Sequence, residues 1–294
     1  MFRGSIPALV TPFRDEALEE AAYRAFVEWQ IAEGSHGLVP AGTTGESATL
    51  RPDEHRRAIE ICLEAAAGRV PVIAGCGAND TAHAIALTKV AKACGADAAL
   101  HVPPYYNRPN QEGIYAHLAA IADAVDIPII LYNVPARTVT DIAVETMARL
   151  ARLANVVAVK DATGNLGRVS AQRLACGEDF VQLSGNDDLA LGFMAMGGVG
   201  CVSVTANVAP RLCARFQEAC LGGRWDEALR LQDALYPLHA ALFTDASPGP
   251  VKYALNKVRP DFPAALRLPM TPPSEASRAA VDAALEHASL VGGS

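Results

Sequence analysis

The sequence predicts an α/β fold: a (β/α)8 TIM barrel followed by a C-terminal helical appendage. Three observations carry this. Short β-branched runs recur eight times, at residues 6–11, 37–41, 70–74, 97–102, 127–132, 156–160, 180–184 and 199–204. Segments rich in Ala, Leu, Glu and Arg at helical spacing lie between them. The runs are mostly continuous apolar stretches, as in parallel strands covered on both faces. Eight β-then-α units without a long crossover favour closure into a barrel over a doubly wound open sheet.

Taken in order, each strand run ends in Gly, Pro, Asn or Thr, residues that stop pairing or turn the chain. Residues 54–67 carry apolar side chains at 58, 59, 62, 63 and 66, the stripe of an amphipathic helix. Pro52-Asp53-Glu54 marks its first turn. The next helix, 81–94, is capped by Asn79-Asp80 or Thr81, and another spans 115–125. The chain beyond the eighth strand is too long for one closing helix. It reads as helices over 211–220, 225–243, 250–258 and 274–290, joined by polar turns at 221–224 and 244–247. We therefore expect a barrel carrying the active site over residues 1–222 and a helical region over 223–294, with fraying at 291–294.

Composition narrows the function. Of the 294 residues, 51% are apolar and 19% charged, which suits a folded core. Lys plus Arg is 25 against 32 for Asp plus Glu, a net charge of −7. Such a chain has no general attraction to nucleic acid or anionic lipid, and neither is expected as a partner. A small anionic substrate needs only local positive charge. Seven cysteines occur without a Cys-x-x-Cys pair, as expected of reduced thiols in a cytoplasmic protein. The N-terminus lacks a signal-type apolar region, and no run approaches the length of a membrane span.

In a barrel of this kind the site lies at the C-terminal ends of the strands. There the sequence places Gly42-Thr43-Thr44-Gly45-Glu46-Ser47, Pro103-Pro104-Tyr105-Tyr106-Asn107, Tyr132-Asn133-Val134-Pro135-Ala136-Arg137-Thr138, Lys160-Asp161-Ala162-Thr163-Gly164 and Ser184-Gly185-Asn186-Asp187. Lys160 is the sharpest signal. Strand alternation puts Ala158 and Lys160 on one face, toward the barrel interior. Desolvation lowers a lysine pKa, and the neutral amine can attack a ketone to form a Schiff base. Three alternatives stay open: a lysine snorkelling to solvent, one paired with Asp161 or Asp187, and a carbamylated lysine holding a metal. Tyr132 faces the same mouth and can shuttle protons, or is simply a tyrosine of the core rim. Thr43-Thr44 offers hydroxyls and free N–H groups to a small carboxylate, or is an ordinary strand–helix turn. Arg137 can clamp a second carboxylate, or form a surface salt bridge.

Other motifs are weaker. Gly75-Cys76-Gly77-Ala78-Asn79-Asp80 lacks the last glycine of a dinucleotide fingerprint, and turn 42–47 lacks the Gly-Lys-Ser/Thr of a P-loop. The seven histidines form no His-x-His or His-Glu-x-x-His, so no metal is expected. His101, alone near a strand end, reads as structural, and Gly197-Gly198-Val199-Gly200 as close helix–strand packing.

Together, Gly42-Thr43-Thr44-Gly45-Glu46, Tyr105-Tyr106-Asn107, Tyr132-Asn133-Val134-Pro135-x-Arg137-Thr138, Lys160-x-Ala162-Thr163-Gly164 and Ser203-Val204-Thr205-Ala206-Asn207 resemble the dihydrodipicolinate synthase family of pyruvate-dependent class I aldolases. The resemblance covers essentially the whole chain. It implies a cofactor-free lyase-type reaction of lysine and diaminopimelate biosynthesis, in which pyruvate, held as an imine on Lys160, condenses with aspartate semialdehyde. It implies a proton relay of Tyr132, Thr43 and Tyr106, with Thr44 on the pyruvate carboxylate and Arg137 on that of the semialdehyde. Gly185, Asn186 and Val202 match positions lining the pocket. Tyr106 matches a tyrosine that enters the neighbouring subunit's site, implying a homo-oligomer, a dimer of dimers. Ser47, Ala48, His55, Asn79 and Tyr105 match an allosteric lysine cleft. Pro52 stands there where lysine-sensitive members often have His, and His83 where they have Glu, so weak or absent lysine inhibition is expected. Asp161 and Asn186 replace a common Glu and Asp with small expected effect.

The nearest competitor is a sister pyruvate aldolase acting on a sugar acid such as N-acetylneuraminate or a 2-keto-3-deoxy acid. Arg137 within its motif discriminates, because it suits a short substrate bearing a carboxylate. A non-catalytic ketoacid-binding barrel is the remaining class, and the presence of Lys160 and Tyr132 speaks against it.

Overall fold

A computed structural model describes residues 2–291; the fraying expected at 292–294 lies outside them. Strands Gly4–Pro7, Ile73–Gly75, Ala98–His101, Ile129–Asn133, Val156–Asp161, Val181–Ser184 and Gly200–Ser203 form one parallel sheet. Sequence neighbours lie side by side, and the first strand pairs with the last. The order has no switch point, which excludes the doubly wound alternative.

Residues 38 and 39 fill the gap between Gly4–Pro7 and Ile73–Gly75. Ala8 bridges Val39 and Leu38 bridges Val72, both in parallel. Leu9 N–H donates to the Val39 carbonyl at 2.9 Å, and Ile73 N–H to that of Leu38 at 2.8 Å. The barrel thus closes with eight parallel positions, but the second is far shorter than the strand expected over 37–41. Pro40 has no N–H to give, and Ala41 turns left-handed at φ 54°, so the bridges stop at Val39 and pairing ends with one last bond, from the Gly75 N–H to the Pro40 carbonyl at 3.0 Å.

Helices cover the outside of the sheet. Thr81–Cys94 has the expected bounds: the Asp80 carboxylate accepts the His83 N–H at 2.7 Å, and Gly95 ends it at φ 95°. The helix expected at 115 begins at Gln111, because Asn110 caps it by accepting the Gly113 N–H at 2.9 Å. An antiparallel hairpin of Phe13–Arg14 and Ala17–Leu18 was not legible, since its turn uses Asp15 and Glu16 at positive φ without glycine.

Ile6, Ile73, Ile130, Ala158, Leu183 and Val202 fill the barrel interior. Ile129, Leu131 and Val159 point the other way, onto the helices. After the barrel come helices Pro210–Leu221, Trp225–Ala241, Gly249–Val258 and Glu275–His287. Their buried faces share one apolar cluster with Leu9, Phe26 and Leu38. Among the described residues no helix is long and apolar enough to cross a membrane. All seven cysteines are free, five of them buried.

Candidate active site

Lys160 is the penultimate residue of strand Val156–Asp161, with Ala158 packed inside the barrel and Val159 outside, so alternation turns it inward. The side chain is buried, 5% exposed. Tyr132 is its register partner on the adjacent strand, and Lys160 Nζ lies 3.9 Å from the centre of the Tyr132 ring. Both neighbouring carboxylates are engaged elsewhere. Asp161 accepts from the Thr163 N–H at 2.9 Å, Thr163 Oγ1 at 2.6 Å and Gln172 Nε2 at 2.6 Å. Asp187 accepts from Ser203 Oγ at 2.5 Å and from the N–H groups of Val204 and Thr205 at 2.8 and 3.1 Å. Among the described residues no carboxylate pairs with Lys160, and no cluster of three or more His, Cys, Asp or Glu could hold a metal. Lys160 Nζ therefore meets the face of the Tyr132 ring and makes no hydrogen bond or ion pair among the described residues, which leaves the nitrogen accessible to a substrate.

The turn 42–47 approaches from the other side. Ala41 and Glu46 are left-handed at φ 54° and 55°. Inside the turn, Glu46 N–H donates to the Thr43 carbonyl at 3.0 Å and Gly45 N–H to that of Gly42 at 3.1 Å. The N–H groups of Thr43 and Thr44 donate to no acceptor among the described residues. Two adjacent free N–H groups form a concavity suited to a carboxylate. A cavity of about 50 Å³ is lined by Thr43, Thr44, Tyr132, Lys160, Gly75 and Gly77, among others. The two glycines, in sequence only an incomplete dinucleotide fingerprint, have a steric reason here. A Cβ on Gly75 would stand 2.2 Å from the Ala41 carbonyl oxygen, and one on Gly77 2.7 Å from Val102 Cγ2. Glycine at a strand end marks such close approach.

Gly185 backs the lysine: its N–H donates to the Asp161 carbonyl at 2.7 Å, and a Cβ there would lie 3.2 Å from Lys160 Cε. Asn186 follows, with its N–H and carbonyl both bonded to Ser184 Oγ, at 3.2 and 2.8 Å. Val202 lies deeper, packed in the interior cluster with Tyr132. Arg137 sits on the short helix Pro135–Thr138, exposed and free of ion pairs among the described residues. With Thr43 it lines a larger cleft of about 570 Å³ that opens the site to solvent.

Ser47, Ala48, His55, His83 and Tyr105 line the same cleft. His55 is buried with Nε2 2.7 Å from the Gly75 carbonyl oxygen, and burial pushes its pKa down. Asn79 is not on the cleft wall; its carbonyl accepts from Asn107 Nδ2 at 2.8 Å. Tyr106 stands apart, left-handed at φ 71° and 91% exposed, and lines neither cavity.

Known proteins resemble this chain over its whole length. The model of the dihydrodipicolinate synthetase family matches residues 1–288. A 4-hydroxy-tetrahydrodipicolinate synthase of Rhizorhabdus wittichii is 68% identical over 290 residues, covering 99% of this chain and 100% of the relative. Among solved structures, the chloride-inhibited dihydrodipicolinate synthase of Acinetobacter baumannii, complexed with pyruvate, is 42% identical with a TM-score of 0.96, over 99% of this chain and 100% of that one. The enzyme of Cyanidioschyzon merolae with lysine bound is 38% identical with a TM-score of 0.95, over 99% of both chains.

Proposed function

We infer the reaction from the premise that this chain belongs to the dihydrodipicolinate synthetase family. It is a Schiff-base-forming enzyme that condenses pyruvate with aspartate semialdehyde to 4-hydroxy-tetrahydrodipicolinate, a step of diaminopimelate and lysine biosynthesis.

In the mechanism we propose, the neutral amine of Lys160 adds to the keto carbon of pyruvate, and water leaves to give an imine. A methyl proton is then removed to form the enamine. The methyl carbon attacks the semialdehyde's aldehyde carbon, and the aldehyde oxygen takes up a proton. The substrate's own amine displaces Lys160 from the imine carbon, closing the ring and restoring the free lysine. One water is released per turnover. Tyr132, with Thr43 and Tyr106, carries the protons. Thr44 and the free N–H groups of its turn hold the pyruvate carboxylate, and Arg137 grips that of the semialdehyde. Gly185, Asn186 and Val202 shape the pocket around these groups.

The observation that supports this most is the buried, unpaired Lys160 Nζ 3.9 Å from the Tyr132 ring centre. The test is a coupled assay with pyruvate, aspartate semialdehyde, dihydrodipicolinate reductase and NADPH. NADPH consumption should need every component. Borohydride should trap pyruvate on the wild-type chain and not on Lys160→Ala. An adduct of the same mass on the variant would assign the nucleophile elsewhere. No consumption by folded protein would move the assignment to a sugar-acid aldolase.

We also propose that lysine binds weakly or not at all. His83 is exposed on the cleft and supplies no carboxylate for the ligand's ammonium, a charge-assisted contact worth roughly 1.5–3 kcal/mol. Calorimetry should record no micromolar binding; a micromolar isotherm would sink the proposal.

A further inference from the structure

A group of four charged side chains lies behind the turn 42–47, away from the reacting atoms. Lys252 Nζ and Glu46 Oε1 are 2.5 Å apart, with side chains 0% and 1% exposed. Lys252 also donates to the Ala265 carbonyl at 2.7 Å, and the Arg267 N–H donates to Glu46 Oε2 at 3.1 Å. The Arg267 guanidinium forks onto Glu54 with two bonds of 2.6 Å, and it donates to the carbonyls of Thr49, at 3.0 Å, and Glu16. Both cations lie over the Phe13 ring, at 4.3 and 4.1 Å from its centre. The segment holding Lys252 and Arg267 thereby grips the chain at 46, 49 and 54.

Burying such charges is a poor route to stability, because apolar residues of similar volume usually serve as well. What the grip does supply is geometry. Ala41 and Glu46 are left-handed without being glycine, a conformation that persists only where the surroundings over-determine it. The Glu46 N–H donates to the Thr43 carbonyl at 3.0 Å. That carbonyl and the Thr44 N–H belong to one rigid peptide plane. Holding Glu46 therefore fixes the direction of the N–H of Thr44, a residue that lines the cavity.

We propose that Lys252 and Arg267 are positioning residues that hold the Thr43-Thr44 turn, through Glu46, in the orientation that binds the substrate carboxylate. This rests on the reading that the turn holds pyruvate. Neither Lys252 nor Arg267 lines the cavity at Lys160 or the cleft beside it.

The test compares wild type, Lys252→Met and the double variant Glu46→Gln/Lys252→Met. The single variant leaves the buried Glu46 carboxylate without its counter-charge, a stability effect; the double removes both charges and still lacks the Lys252 tether. The half-saturating pyruvate concentration, read by borohydride trapping and by KM, should rise about 10- to 100-fold in both variants. The trapped plateau at saturating pyruvate should match wild type, and the KM for the semialdehyde should change by less than about twofold. If the double variant binds pyruvate as wild type does, whatever its melting temperature, the positioning role is overturned. Should Lys252→Met not fold, the double variant carries the test alone, because it buries no unpaired charge and still lacks the Lys252 bond to residue 46. A wild-type chain that traps no pyruvate would overturn the underlying reading before any variant is compared.

Discussion

Gly185 controls where the Lys160 side chain can lie. A methyl group there would come within 2.7 Å of Ala162 Cβ and 3.2 Å of Lys160 Cε. The Gly185 N–H is held to the Asp161 carbonyl at 2.7 Å, so the backbone has little room to retreat. Gly185→Ala should slow formation of the pyruvate adduct by about tenfold or more while the protein stays folded. Stopped-flow measurement of adduct formation checks this, and a wild-type rate would show that Lys160 has slack. Much of this site was legible at single positions. Lys160 and Tyr132 each end an apolar run, and a charged or phenolic group there has one place to go. The anchors of the neighbouring turn were not legible. Lys252 lies 206 positions from Glu46, and in Gly249-Pro250-Val251-Lys252 it looks like any lysine early in a helix. Burial pushes its pKa down to about 8, against the pull of Glu46, but only the folded chain creates that environment.

At the scale of elements, two buried histidines tie neighbours together, one joining a helix to the sheet and the other joining two helices. His101, on strand Ala98–His101, has Nε2 3.1 Å from Thr88 Oγ1 on helix Thr81–Cys94. His117, on helix Gln111–Ala124, has Nδ1 2.9 Å from Thr81 Oγ1. Burial pushes the His101 pKa down to about 3 and lowers that of His117. The folded state therefore refuses protons that the unfolded chain, titrating near 6.5, accepts. This stability is fully present above about pH 6.5 and is lost as pH falls toward the folded value. Between about pH 6.5 and 5, one fully suppressed histidine accounts for about 2 kcal/mol. The urea midpoint should fall from pH 7 to pH 5, and less steeply in His101→Gln. Equal midpoints at the two pH values would refute it. The bond to Thr88 makes His101 structural, as a lone histidine near a strand end suggests. Element edges were less legible. The expected strand 37–41 shrinks to two bridging residues because Pro40 and the left-handed Ala41 override its apolar pattern.

For the whole molecule, closure of the barrel and attachment of the C-terminal helices involve the same apolar cluster, which joins Leu9 and Leu38 to Leu255 and Leu285. We propose the boundary at 222/223 as a change of architecture rather than a cut between independent cores. Eight repeated units made the barrel legible, since each repeat states the same local rule. A partner subunit leaves no such periodic trace; among the described residues Tyr106 is the most exposed large apolar side chain. It is 91% exposed in a left-handed conformation, an expensive posture for an aromatic side chain facing only water. We propose that it completes the site of a neighbouring copy within a dimer. Lys160→Ala and Tyr106→Phe should each be strongly impaired as homo-oligomers. Co-expressed with two tags, they should form hybrids in which one site pairs an intact Lys160 with the other chain's intact Tyr106. Random pairing would restore about a quarter of wild-type activity. If Tyr106 served its own chain, every hybrid site would lack one of the two groups. The purified hybrid would then be no more active than its parents, and the dimeric site would have to be abandoned.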